Sequence, residues 1–123
     1  MSKPQSPWGR PVPELPVTDV ARAQRHYREA FAFDVGWTDP SESIGAVSRG
    51  EIAFFLRRTS APLPPVVHWV HVMDLEATHA ELVSSGANVV EAPEVKPWGL
   101  RQFAVKDLDG NVFYFHDGAG RGE

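Results

Sequence analysis

Val17-Thr18-Asp19-Val20 returns 55 positions later as Val72-Met73-Asp74-Leu75, and the same offset sets Tyr27 on Leu82. In each copy an extended apolar run meets an Asp suited to cap a helix, and a helical pattern follows. Val20, Ala23, Tyr27, Ala30 and Phe31 recur at helical spacing in the first copy, and Leu75, Thr78, Leu82 and Val83 do so in the second. Arg22, Arg25, Arg28 and Glu29 fill the remaining face of the first helix and read as a solvated surface. Beyond each helix the pattern changes to short strands, at about 35–38, 44–48 and 51–58 and then at about 88–92, 100–106 and 111–116. The last two strands join at Asp107-Leu108-Asp109-Gly110-Asn111, where Asp-Gly between alternating apolar runs signals a hairpin. The same residues begin like a calcium loop, but the later spaced ligands and the terminal Glu are missing, so the stretch reads as a turn.

Outside these copies, proline marks the boundaries. Eight of the eleven Pro fall in two clusters: five within residues 4–16, and three at 62, 64 and 65. The first cluster reads as an extended arm and the second as a linker between the halves. The plan is strand, helix, three strands, twice over. It predicts a pseudo-symmetric α+β fold in one domain, 1–123, with an arm at 1–11, module one at about 12–61 and module two at about 66–118.

Composition removes several functions. The chain has 123 residues, a formal charge of −4 and no Cys. A nucleic-acid binder would show a strongly basic patch, and a disulfide framework or thiolate nucleophile needs Cys. No apolar run approaches the roughly 18 residues of a spanning helix. The start, Met1-Ser2-Lys3-Pro4-Gln5-Ser6-Pro7, lacks the apolar stretch of a signal peptide, so a soluble cytoplasmic protein is expected. The oddity is four Trp, at 8, 37, 69 and 98. Trp is costly to place unless its N–H or its large face is used.

Because side chains alternate across a strand, each strand divides into two sets. Leu15, Val17, Phe54, Leu56, Val70, Val72, Phe103, Val105, Phe113 and Phe115 form a uniformly apolar set, expected beneath the helices. The opposite set mixes aromatic and polar groups: Val12 and Glu14, Phe55 and Arg57, Val67, Trp69 and His71, Val112, Tyr114 and His116. A surface that binds an organic ligand needs this mixture, with aromatic area for contact and a few polar groups for orientation. A dimer interface on the same face would also be rich in aromatics, and the two readings are compatible.

Catalytic motifs are scarce. His68-Trp69-Val70-His71 has the look of a metal site, but three residues along a strand set its imidazoles on opposite faces. His26, His79 and His116 each stand alone and read as surface or satisfied histidines. There is no Gly-rich phosphate loop, no G-x-S-x-G and no H-E-x-x-H. Glu14 would act as a base only if buried, and nothing in the sequence supplies it with a partner.

The doubled strand-helix-three-strand plan, with Leu15-Pro16-Val17-Thr18-Asp19-Val20, Tyr27, Phe33 and the stretch from Trp98 to Asn111, resembles the vicinal oxygen chelate superfamily. That group includes glyoxalase I, extradiol dioxygenases, fosfomycin-resistance enzymes and bleomycin-resistance proteins. The resemblance implies tandem βαβββ modules forming a curved mixed sheet with helices on its outer face. In metal-using members, ligands occupy inward positions of the first and last strands. Here those positions hold Val12, Val67 and Tyr114, and the carboxylate Glu51 lies at a turn. Two valines and a phenol cannot hold a divalent ion. No metal or other cofactor is therefore expected, and no catalytic residue is assigned.

Pro97-Trp98-Gly99-Leu100-Arg101-Gln102-Phe103 and the strand Val67-His68-Trp69-Val70-His71-Val72 are similar to the bleomycin-resistance branch, which binds its antibiotic without destroying it. On this resemblance Trp69 and Trp98 stack on flat heteroaromatic parts of a ligand, and Trp37 falls near a Phe of the same groove. Pro13 matches a proline where the arm crosses to a partner, which implies a homodimer with grooves at the subunit boundary. The expected ligand-binding set is Trp37, Arg57, Trp69, His71, Trp98 and Tyr114, and the expected ligand an aromatic or glycopeptide-like small molecule. Two positions depart from the pattern: Gly36 replaces an acidic groove residue and Arg57 a small hydroxyl. Residues 62–123 carry four basic and nine acidic side chains, a net of −5, against +1 for residues 1–61. That field favours a cation approaching the second module. The alternative is a divergent metal-dependent lyase or dioxygenase that recruits a metal through His68 or His71 and a partner's carboxylate.

Overall fold

A computed structural model describes residues 7–60 and 64–118. The first six residues of the expected arm and residues 61–63 of the linker lie outside the described residues. Module one runs β1 (Glu14–Val17), α1 (Val20–Phe31), β2 (Asp34–Thr38), β3 (Ile44–Arg49) and β4 (Ile52–Arg58). Module two runs β5 (Val67–His71), α2 (Leu75–Ser84), β6 (Asn88–Val95), β7 (Arg101–Lys106) and β8 (Val112–His116). The Asp19 and Asp74 carboxylates accept the backbone N–H of Arg22 and Ala77, each at 3.0 Å, and so start the two helices. β6 continues to Val95, past the expected end at 92. It is an edge strand whose register shifts on both sides of Glu91, an irregularity that accommodates Pro93.

Each module builds its own four-stranded mixed sheet, ordered β1-β4-β3-β2 and β5-β8-β7-β6. The β1/β4 and β5/β8 pairs are parallel, and the remaining pairs antiparallel. The expected mixed sheet is thus present as two halves. Their covered faces share one core: Phe54 of β4 and Phe113 of β8 have ring centroids 5.5 Å apart, and Tyr27 of α1 lies 6.2 Å from Phe113. Gly45 of β3 lets α1 settle onto the first sheet, for a Cβ there would stand 2.8 Å from Val20 Cγ1.

A polar latch fastens α1 to the second module. The buried Asp107 carboxylate accepts the Tyr27 hydroxyl at 2.6 Å and the Asn111 side-chain amide and backbone N–H at 2.9 Å each. Asn111 Nδ2 also donates to the Pro16 carbonyl at 3.1 Å, and Asp109 accepts both the backbone N–H and the hydroxyl of Thr18 at 3.1 Å. The Asp107–Asn111 stretch is therefore a turn whose carboxylates are spent on module docking. Among the described residues, no helix is long and apolar enough to cross a membrane.

Candidate ligand-binding site

The open faces of the two sheets expose what the core does not use. Trp37, Trp69 and Trp98 are 51%, 49% and 61% exposed, a large apolar area for side chains so costly to hydrate. Trp69 on β5 and Tyr114 on β8 are register partners in the parallel pair, and their rings stack 4.6 Å apart at 26°. One residue away the alternation reverses. His68 turns to the covered face, 5.2 Å from the Phe54 ring and 5.9 Å from Phe113, and burial pushes its pKa down.

Trp98 reaches the same face from the β6–β7 turn. Gly99 N–H donates to the Lys96 carbonyl at 2.9 Å, with Pro97 presetting the turn and Gly99 at φ 93° leaving it. The indole Nε1–H then donates to Gln102 Oε1 at 2.9 Å, and Gln102 is itself 1% exposed. The result is a slot of about 170 Å³ walled by Trp69, Tyr114 and Trp98, with Gln102, Glu91 and Lys96 completing it. Lys96 is held by Glu94 at 2.6 Å and Glu91 at 3.4 Å, and those carboxylates, Glu94 first, raise its pKa. A flat ring entering this slot would meet π-faces on its walls and a fixed amide at its base.

The six expected residues do not meet within one chain. Trp69, Trp98 and Tyr114 share the slot. His71 lies beside it on the same face, its ring 5.4 Å from that of His116. Trp37 and Arg57 belong to the first sheet, where Trp37 lies 5.1 Å from the Phe55 ring. Among the described residues, no hydrogen bond, ion pair or ring contact joins those two to the slot. Gly36, beside Trp37, has little space for a side chain: a Cβ there would stand 3.1 Å from the Ala46 Cβ.

Glu14 has the partner that was not evident in sequence. Arg57 donates to both its carboxylate oxygens, at 2.9 Å and 2.5 Å, and these bonds lower its pKa. An ionised, exposed carboxylate locked to a guanidinium is a poor general base. Gln102, Glu91 and Lys96 were not singled out either. The available signal was Gln102, a polar side chain between Arg101 and the core residue Phe103 that returns four positions after Trp98.

The donors present do not fit a divalent ion. Val12 and Val67 have no ligating atom, Tyr114 is stacked under Trp69, and His68 and His71 lie on opposite faces of β5. Among the described residues, no three His, Asp or Glu side chains are grouped so as to hold one.

The sequence model described as "Glyoxalase/Bleomycin resistance protein/Dioxygenase superfamily" matches residues 11–115. No curated protein matches the chain. Among solved structures, TioX from Micromonospora sp. ML1 is 27% identical, with a TM-score of 0.76 over 89% of this chain and 99% of its own. TnmS3, an antibiotic binding protein from Streptomyces sp. CB03234, is 25% identical, with a TM-score of 0.72 over 92% of this chain and 98% of its own. A bleomycin resistance determinant encoded on the transposon Tn5 shares the fold at 20% identity, with a TM-score of 0.76 over 89% and 98%.

Proposed function

The chain belongs to the glyoxalase/bleomycin resistance protein/dioxygenase superfamily, and from that premise we propose that it is a metal-independent, homodimeric binding protein that sequesters an aromatic or peptide-like antibiotic or toxin of the bleomycin type. The observation that carries this reading is the slot between Trp69, Tyr114 and Trp98, with the Trp98 edge anchored on Gln102. Exposed indoles held rigidly offer binding area at little entropic cost, and the walls carry no group activated for chemistry. The likeness to TnmS3, itself an antibiotic binding protein, points the same way.

In this reading residues 1–123 act as one domain without a cofactor. In the dimer the first sheet of one copy faces the second sheet of the other. Trp37 and Arg57 then join the slot residues in a longer groove, each protomer supplying half of each site. The ligand is a small molecule met in the cytoplasm, and neither nucleic acid nor membrane is a partner.

The test is a titration with metal-free bleomycin and with planar heteroaromatic antibiotics, read by tryptophan emission, with metal content and sedimentation mass measured on the same sample. A saturable change in emission on a metal-free dimer is expected. Unchanged emission together with unchanged survival of expressing cells overturns the sequestration reading. Near-stoichiometric zinc, iron or manganese overturns metal independence.

A further inference from the structure

The two modules are not equivalent where they dock, and the difference leaves a cavity. Between the register partners Lys106 and Val112 the β7–β8 connection has the five residues Asp107–Asn111, which form the latch against α1 and β1. Between Arg49 and Ile52 the corresponding β3–β4 connection has only Gly50 and Glu51. The helix facing each connection differs as well. Where α1 presents Tyr27, α2 presents Leu82 at the matching position, and where Phe31 stands in the first copy Gly86 stands in the second. A shorter turn and smaller side chains leave unfilled the space that the latch fills on the other side.

That space is a cavity of about 780 Å³, within the range of sites for drug-sized ligands. Its inner wall is Phe54, Val70, Phe113 and Phe115 from the covered faces of the sheets, with Leu82 of α2. It lies behind the β5/β8 pair, on the opposite face from the Tyr114 side of the slot, with Trp69 and His71 of the edge strand bordering it. The charged groups at its rim are already matched: Arg10 pairs with Glu51, and Arg49 forks onto Glu81 at 2.8 Å and 3.0 Å. His68 lines the interior, and burial disfavours its charged form. An ionic ligand would find no free countercharge in such a wall and would lose its hydration.

We propose that this cavity is a second ligand site, separate from the tryptophan slot, that takes an uncharged and mainly hydrocarbon small molecule. The proposal does not rest on the slot's function. Burial of hydrocarbon against these aromatic and branched side chains drives uptake, and neutral guests avoid the desolvation that excludes ions.

The probe is 1-adamantanol, a neutral hydrocarbon cage with no flat face for the indoles to stack on, added to the full chain and followed by NMR of methyl groups and indole N–H groups. Saturable binding is expected to shift the methyl signals of Val70 and Leu82 and to leave the Trp98 indole N–H in place. Leu82→Phe and Ile52→Trp fill the space from opposite walls, and each is expected to weaken binding at least tenfold while Trp98→Ala leaves it unchanged. The methyl shifts in the unaltered protein decide the matter even if a filled variant does not fold. Shifts confined to the Trp98 indole, or no binding, overturn the proposal. So does a cavity closed by a second copy, recognised by methyl shifts that follow protein concentration without uptake of the probe.

Discussion

An indole offers its face to a ligand only when its edge is held. Trp98 sits on a turn preset by Pro97 and is fixed by one hydrogen bond to a buried Gln102, while Trp69 is backed by Tyr114. Trp69→Ala or Trp98→Ala is therefore expected to weaken the ligand found by titration by about 1–3 kcal/mol, measured by calorimetry so that the lost fluorophore does not matter. Gln102→Leu keeps both indoles but frees one edge, and a smaller loss is expected; a loss equal to that of Trp98→Ala would mean that Gln102 contacts the ligand itself. His68 and His26 act through solvent exclusion instead. Burial pushes both imidazoles below the usual value of 6.5, so the unfolded chain takes up more protons than the folded one as pH falls below about 6.5. Stability is full above that pH and declines beneath it. Urea midpoints between about pH 8 and about pH 5 should fall on the acid side, and His68→Phe should flatten the fall. A flat profile for the unaltered protein would contradict this.

At the scale of elements, the decisive contact is α1 on β3. The Gln24 amide bridges the edge by donating to the Ala46 carbonyl at 3.3 Å and accepting the Thr38 hydroxyl at 3.0 Å, close above Gly45. Gly45→Ala places a Cβ against Val20 and Gln24, and a destabilisation of about 1–3 kcal/mol by denaturant unfolding is expected from overpacking. An unchanged midpoint would show that α1 slides freely. The order of elements was legible because its signals are local: Asp19 and Asp74 cap helices within three residues, and Phe113 and Phe115 alternate with Tyr114. The end of β6 was not, because the Pro93 that argues against a strand is accommodated by register shifts that only the pairing with β7 creates. The Glu14–Arg57 pair also depends on pairing. β1 lies beside β4 with Pro16 opposite Arg57, and the two charged side chains meet on the shared open face across that diagonal.

At the scale of the molecule, the latch adds a polar junction to the apolar core that the two halves share. Asp107→Ala would leave the Tyr27 hydroxyl and the Asn111 N–H groups without their acceptor, and a loss of about 3 kcal/mol or more is expected in urea unfolding, against about 1 kcal/mol for Tyr27→Phe. Equal costs would mean that the hydroxyl alone carries the junction. This long-range docking is also where sequence reading of the site ran out. Trp37, Trp69 and Trp98 share the open-face chemistry, but which of them meet depends on how two sheets are placed, and alternation within a strand carries no such information. β8 gathers these threads, since Phe113 and Phe115 close the core while Tyr114 between them backs the slot. The latch lies at one end of that strand and the slot on its far face, so the residues that dock the halves and those that wall the slot are different residues. Substitutions at Trp69, Trp98 and their open-face neighbours therefore reshape the slot while Asp107, Asn111 and the covered-face phenylalanines keep the halves docked.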